Sequence, residues 1–355
     1  MKSLAFKLSG FILLSLFVLS CSKTAIDSSS PGSLKDALTS GTQKLNIAMT
    51  DIASNQAFQL LSVTNPTTLK AGTIYSVNIP LSLVTGVYNF KALKTEGSEH
   101  LPLIKFFTKT ADPNKMVINL PLAKLKNSHD LREYHKADSA LTNNFSMSVT
   151  EYYNNYNSYR DFDYSNVAAI TIDNLLAGTL NIKSLKSPTL GTQYASQFAF
   201  SNGYTAKYKY ASGDTIVSSF AILKATSLLY EEKLLTIKND TARFGREHQY
   251  SLIIGDVKLV KKANKTYAVY VKGVLQPKAV VSFIDKDDDD SDDDEHSVCD
   301  KRDIQITFED GTTSSISTLI GQTITDISTL FKSLHQVYFA ASVADWIGYD
   351  IYYKR

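Results

Sequence analysis

Apolar residues in this chain recur mostly at every second position, in short runs closed by turn-forming residues. That pattern restricts the backbone more than any other feature of the sequence. Residues 75–83 place Val77, Ile79, Leu81 and Leu83 on one side of an extended segment, and residues 204–210 alternate apolar and polar side chains. Strand side chains point alternately to opposite faces, so runs of this length between turns predict antiparallel β structure with one buried face. Further runs occupy 87–93, 116–122, 145–149, 167–172, 179–185, 215–223, 257–260, 266–271, 279–284 and 304–308. Turn residues separate them, among them Asp173-Asn174, Ala177-Gly178, 211–214, 261–265 and 309–311. Pro80 and Pro121 fall within two of the runs; proline has no N–H to give a ladder, so those strands belong at edges or bulges.

Helical spacing occurs in two places. Residues 130–141 fit a short helix capped by Ser128, and from Ile316 to Leu334 the apolar residues step by three or four, which predicts a helix over 325–334. Beyond it, 337–343 and 346–353 read as closing strands. No repeat of 20–50 residues is present, which argues against a solenoid or propeller. At 355 residues and 43% hydrophobic, the chain can supply two cores. The expected fold is mainly β, with two antiparallel β domains of sandwich or barrel-like type and a short C-terminal helix in the second. Residues 186–197, with Pro188 and Gly191, form the expected junction between an N-terminal β domain at 44–187 and a C-terminal one at 195–355. Residues 22–43 are rich in Ser, Thr and Gly and read as a flexible tether.

The N-terminus carries an address. Lys2 and Lys7 precede an apolar run, 8–19, too short to span a bilayer and of the length of a signal-peptide core. It ends in Val18-Leu19-Ser20-Cys21. This resembles the lipobox of bacterial lipoproteins. The resemblance, confined to residues 1–22, implies that 1–20 are removed and that Cys21 receives the lipid. Ser22, where an aspartate would favour inner-membrane retention, points to the outer membrane. Multiple acyl chains give stable attachment. With Cys21 acylated, Cys299 is the remaining thiol and no intramolecular disulfide is possible. The short D-[ST]-apolar triplets at Asp138, Asp214 and Asp240 resemble the O-glycosylation signal of the Bacteroidota.

Net charge is +2, without the basic field that nucleic-acid binding needs. Charge is concentrated in one place: nine of the eleven residues 285–295 are acidic, within an expected loop 285–303. Asp285, Asp287 and Asp289 have the D-x-D-x-D spacing of calcium loops, but Asp290 stands where the sharp turn needs Gly, and His296 where the loop needs Glu. The run reads as a solvated hairpin tip, or as a low-affinity Ca2+ site; no other cofactor is implied. His296 and Cys299 lack the further soft ligands that zinc requires, and His129 and His135 are six apart, not the four of a metalloprotease helix.

The segment 151–164 is the most suggestive of a site. Tyr152, Tyr153, Tyr156, Tyr159 and Tyr164 are interleaved with Asn154, Arg160 and Asp161. Tyrosines stack on the C–H faces of sugars, and amides, carboxylates and Arg bridge their hydroxyls; the same residues also serve adaptable protein-binding surfaces. A long hairpin whose tyrosines simply pack on the sheet is the plainer reading. No nucleophile elbow, P-loop or dinucleotide fingerprint is present, so no catalytic residue stands out. The sequence thus points to a lipid-anchored envelope protein that binds glycan or another surface ligand. A structural or adhesion subunit that pairs through strand edges, and a hydrolase with an unrecognised carboxylate pair, are the alternatives.

Overall fold

A computed structural model describes residues 33–61, 76–93, 101–112, 114–126, 131, 141–240, 245–262, 266–285 and 302–353. Cys21, Asp287, Asp289 and nearly all of the helix expected at 130–141 lie outside the described residues. The described residues begin with helices α1 (Leu34–Ala53) and α2 (Gln56–Leu61). Strand β1 (Val77–Pro80), the single turn α3 (Leu81–Val84) and strands β2 (Gly86–Phe90), β3 (Phe107–Thr110) and β4 (Met116–Leu120) follow, then a short α4 (Leu122–Lys126). A long meander comes next: β5 (Phe145–Ser158), β6 (Asp161–Ile172), β7 (Leu175–Ser187), β8 (Gly191–Phe200), β9 (Tyr204–Ser212) and β10 (Thr215–Lys224). It continues through β11 (Ser227–Lys238), β12 (Arg246–Ile254), β13 (Val257–Lys261), β14 (Tyr267–Val271) and β15 (Val274–Leu275). Strands β16 (Val280–Asp285), β17 (Arg302–Thr307) and β18 (Thr313–Ser315) form a second small sheet, and helices α5 (Ile316–Ile320) and α6 (Thr323–Tyr353) end the chain.

The mainly β reading holds. Strands β1 to β15 form one sheet, antiparallel throughout the meander, with a parallel pair only between β2 and β4. Its ends, β15 and β3, do not pair with each other, so the sheet is open rather than a closed barrel. Within the expected domain junction, 188–190 is the tip of the β7–β8 hairpin, where Ser187 pairs with Gly191 and the ladder runs on without a break. Pro188 and Gly191 mark a tight turn, and a turn inside a sheet has the same composition as a turn between domains.

Two expectations fail for a common reason. Residues 34–43 belong to α1 rather than to a tether, and 337–343 and 346–353 belong to the 31-residue α6 rather than to closing strands. In α1 the buried residues Leu34, Leu38, Leu45, Met49 and Ile52 fall on one helix face, diluted by Ser, Thr and Gly. In 346–353 the aromatic and β-branched residues favour extended structure by themselves. Packing against the sheet overrides both local preferences. Ser33 caps α1, its Oγ accepting from the Asp36 N–H at 3.1 Å. Gly41 is small because α1 crosses the β12–β13 turn there: a Cβ would come within 2.8 Å of the Ile254 carbonyl oxygen.

Both helices lie on the inner face of the sheet, and one continuous core joins α1, α6, the large sheet and the small one. Turn chemistry fixes the register. Asp173 and Asn174, with φ of 50° and 65°, make the two-residue β6–β7 turn whose positive φ values match strand twist. At the other end of α1, the Tyr204 hydroxyl donates to Asp51 Oδ2 at 2.6 Å and Asn202 Nδ2 donates to the Asp51 carbonyl at 2.7 Å, pinning the helix to the β8–β9 turn. No helix among the described residues is long and apolar enough to cross a membrane.

Candidate functional site

Alternation along β5 and β6 sorts the tyrosine-rich segment onto two faces. A bulge between Val149 and Glu151 shifts the register, after which Tyr152, Asn154 and Tyr156 point inward while Tyr153 and Asn155 take the opposite face. On β6 the inward set is Phe162, Tyr164 and Asn166. Of the residues expected to form a loop site, Tyr152, Tyr156 and Tyr164 therefore share a face. Tyr153 does not join them, and Tyr159, Arg160 and Asp161 lie at the exposed tip of the hairpin, where the Arg160 guanidinium and Lys186 flank the Tyr159 ring.

Where α6 passes over these strands it leaves a cleft of about 300 Å³. Its sheet wall is Asn154 and Tyr156 from β5, Phe162, Asp163 and Tyr164 from β6, Ile182 and Ser184 from β7, and Tyr194 from β8. Its helix wall is Ala341, Ser342, Asp345 and Tyr349, spaced by one, three and four residues on one side of α6. Tyr156 and Phe162 stack at 6.4 Å with an interplanar angle of 18°, and Tyr152 meets Tyr164 edge to face at 6.3 Å. Such offset and T-shaped pairs hold rings rigidly and present flat apolar walls.

Asp345 is the chemical centre of the cleft. The Tyr152 hydroxyl donates to its Oδ1 at 2.9 Å, and Asn154 Nδ2 donates to the Tyr349 hydroxyl at 3.2 Å. Asn166 Nδ2 donates to the Tyr164 hydroxyl, also at 3.2 Å. Burial pushes the Asp345 carboxyl up to about 7, and hydrogen bonds from Tyr152, Tyr164 and Asn154 offset only part of that rise. The tyrosines respond in kind. Burial, and then the nearby Asp345 charge, hold Tyr152 and Tyr164 well above the ordinary phenol range, and burial pushes Tyr349 up to about 12. All three phenols thus stay protonated at neutral pH, as donors around a carboxyl that titrates there. Asp345 is half-buried and opens to the cleft, so a bound group can reach it.

One polar atom beside the cleft, Asn166 Oδ1, on a buried residue of the inner face, accepts no hydrogen bond from the described residues. Ile182, which lines the cleft, pairs with both Asn166 and Ser196 across the ladder.

Reading the sequence by itself missed Asp345, Tyr349 and Tyr194. The signal for the first two was the helical spacing Ala341, Ser342, Asp345 and Tyr349, hidden because that stretch reads as strand. Asp285 ends β16, and no group of three or more His, Cys, Asp or Glu placed to hold a metal occurs among the described residues. The chain matches no family profile, no curated protein and no solved structure.

Proposed function

We propose that this chain is a lipid-anchored binding protein of the bacterial outer membrane, held by Cys21, whose cleft between β5–β8 and α6 receives a small polar ligand such as a glycan unit. The observation that carries the reading is the cleft itself. About 300 Å³ lies at the lower end of the range of small-ligand sites, which are mostly apolar with a few convergent polar groups. Tyr156, Phe162 and Tyr194 offer ring surfaces to sugar C–H groups, and Asp345, Asn154 and Ser184 offer hydrogen bonds to hydroxyls. The rigid strands and the clamped α6 supply a scaffold that needs little ordering on binding.

The test is a glycan array followed by calorimetry on the full chain in detergent. Binding that is lost in Tyr156→Ala and Tyr194→Ala, and retained in Tyr159→Ala, supports the cleft. Loss in Tyr159→Ala alone moves the site to the hairpin tip. Absence of any glycan binding overturns the glycan assignment.

The assembly alternative has one feature in its favour. Val274 and Leu275 of β15, 40% and 50% exposed, lie at one end of the large sheet, and the four-residue β3 lies at the other. End strands of two and four residues offer few backbone groups for another subunit to pair with, which favours the cleft reading.

A further inference from the structure

The polar groups of the cleft are unevenly matched. Asp345 lies on its helix wall and Asp163 is exposed on its sheet wall, and no Lys, Arg or His is among the described residues that line it. Every described group that faces the Asp345 carboxyl is neutral: Tyr152 and Asn154 from β5, Tyr164 from β6 and Tyr349 from its own helix. The Asn166 side-chain oxygen beside the cleft adds an acceptor without a donor among the described residues. A neutral sugar brings one donor and two acceptor lone pairs in each hydroxyl, and leaves the Asp345 carboxylate charge unbalanced. A cation supplies donors and charge together, and aromatic faces attract it further.

We propose that the ligand of this cleft carries a protonated amine, which the Asp345 carboxylate meets inside a box of Tyr156, Phe162, Tyr164, Tyr194 and Tyr349. This rests on the cleft being the binding site; within the glycan reading it specifies an amino sugar with a free, unacetylated amine. Acetylation would remove the charge and add a carbonyl acceptor where acceptors are already in excess. The ammonium keeps its proton, and no bond is made or broken.

The position of Asp345 makes binding depend on pH. A carboxyl that titrates near 7 is mostly protonated at pH 5.5 and mostly ionised at pH 7.5, so affinity for a permanent cation should rise roughly 25-fold between them. Asp163 lies on the sheet wall of the cleft.

The experiment is calorimetric titration of the full chain, in detergent, with D-glucosamine, N-acetyl-D-glucosamine, D-glucose and choline, at pH 5.5 and 7.5. Choline is the permanent cation for the pH comparison. The proposal expects glucosamine to bind at least ~10-fold more tightly than the two neutral sugars, as a charge-assisted hydrogen bond implies. It expects the same loss in Asp345→Asn, with the far-ultraviolet circular dichroism unchanged. Neutral sugars binding as tightly as glucosamine would overturn the amine and leave the glycan reading standing. Choline binding that depends on Asp345, with no sugar bound, would support a cation at Asp345 and overturn the amino-sugar and glycan readings. Binding of none of the four overturns both. The wild-type comparison across ligands and pH decides the matter even if the Asp345 variant fails to fold.

Discussion

Replacing Asp345 by Asn should make the protein more stable at neutral and alkaline pH, and by an amount that grows with pH. The carboxyl is lifted from 3.8 to about 7 because burial penalises its charge more than the surrounding hydroxyl and amide donors relieve it. Between those values the folded protein holds a proton that the unfolded chain releases, so the wild type loses stability as pH rises from about 4 to 7. At about 1.4 kcal/mol per pKa unit the full shift corresponds to about 4 kcal/mol. That is a ceiling, because Asp345 is half-buried and its carboxylate keeps some hydration through the cleft. The expected gain is about 2–4 kcal/mol on passing from pH 4 to pH 8. Asn has nearly the same shape and can accept from Tyr152 through its amide oxygen, so no cavity forms. The assay is urea denaturation of both proteins at half-unit steps from pH 4 to 8, plotted as the difference in unfolding free energy. A difference flat to within about 0.5 kcal/mol would show that the carboxyl titrates normally. A difference that moves in favour of the wild type with rising pH would mean a cation pairs with Asp345. Either result would refute the reasoning.

Three other outcomes follow from packing. Gly41→Val should cost about 1–3 kcal/mol in urea midpoint measurements, because the added side chain meets the Ile254 carbonyl where α1 crosses the β12–β13 turn. Tyr204→Phe removes the 2.6 Å hydrogen bond to Asp51 and should cost about 1–3 kcal/mol, read in the same way, with amide exchange at the C-terminal end of α1 faster than in the wild type. Asn174→Val puts a β-branched residue at a φ of 65° and should lower the melting temperature through about 1–3 kcal/mol of backbone strain, whereas Asn174→Gly should be tolerated.

The sheet was legible in the sequence because alternation is a local property. Nearly every expected run became a strand, and the Asp173-Asn174 turn formed where its residue types allow positive φ. In β5, β6 and β7 the apolar runs cover only part of the strand. β5 extends from the apolar 145–149 through the Tyr- and Asn-rich 151–158, where inward-facing residues carry hydroxyls and amides and the apolar period fades. The pocket sits in that faded half, where Asn154, Tyr156, Phe162 and Tyr164 rather than aliphatic side chains face inward.

From its sequence alone this chain is mainly β and built of antiparallel hairpins. Its first residues resemble those of a lipoprotein, and its one dense tyrosine segment lies at 151–164. These follow from periodicity, turn chemistry and short motifs, each contained within a few neighbouring residues. That the hairpins join into one open sheet, that 34–53 and 323–353 are helices on its inner face, and that Asp345 meets Tyr152 across 193 residues of chain were decided by tertiary structure. Burial of α1 and α6 against a common apolar face stabilises conformations that their own residues do not prefer, and a site made from segments so far apart along the chain has no local signature.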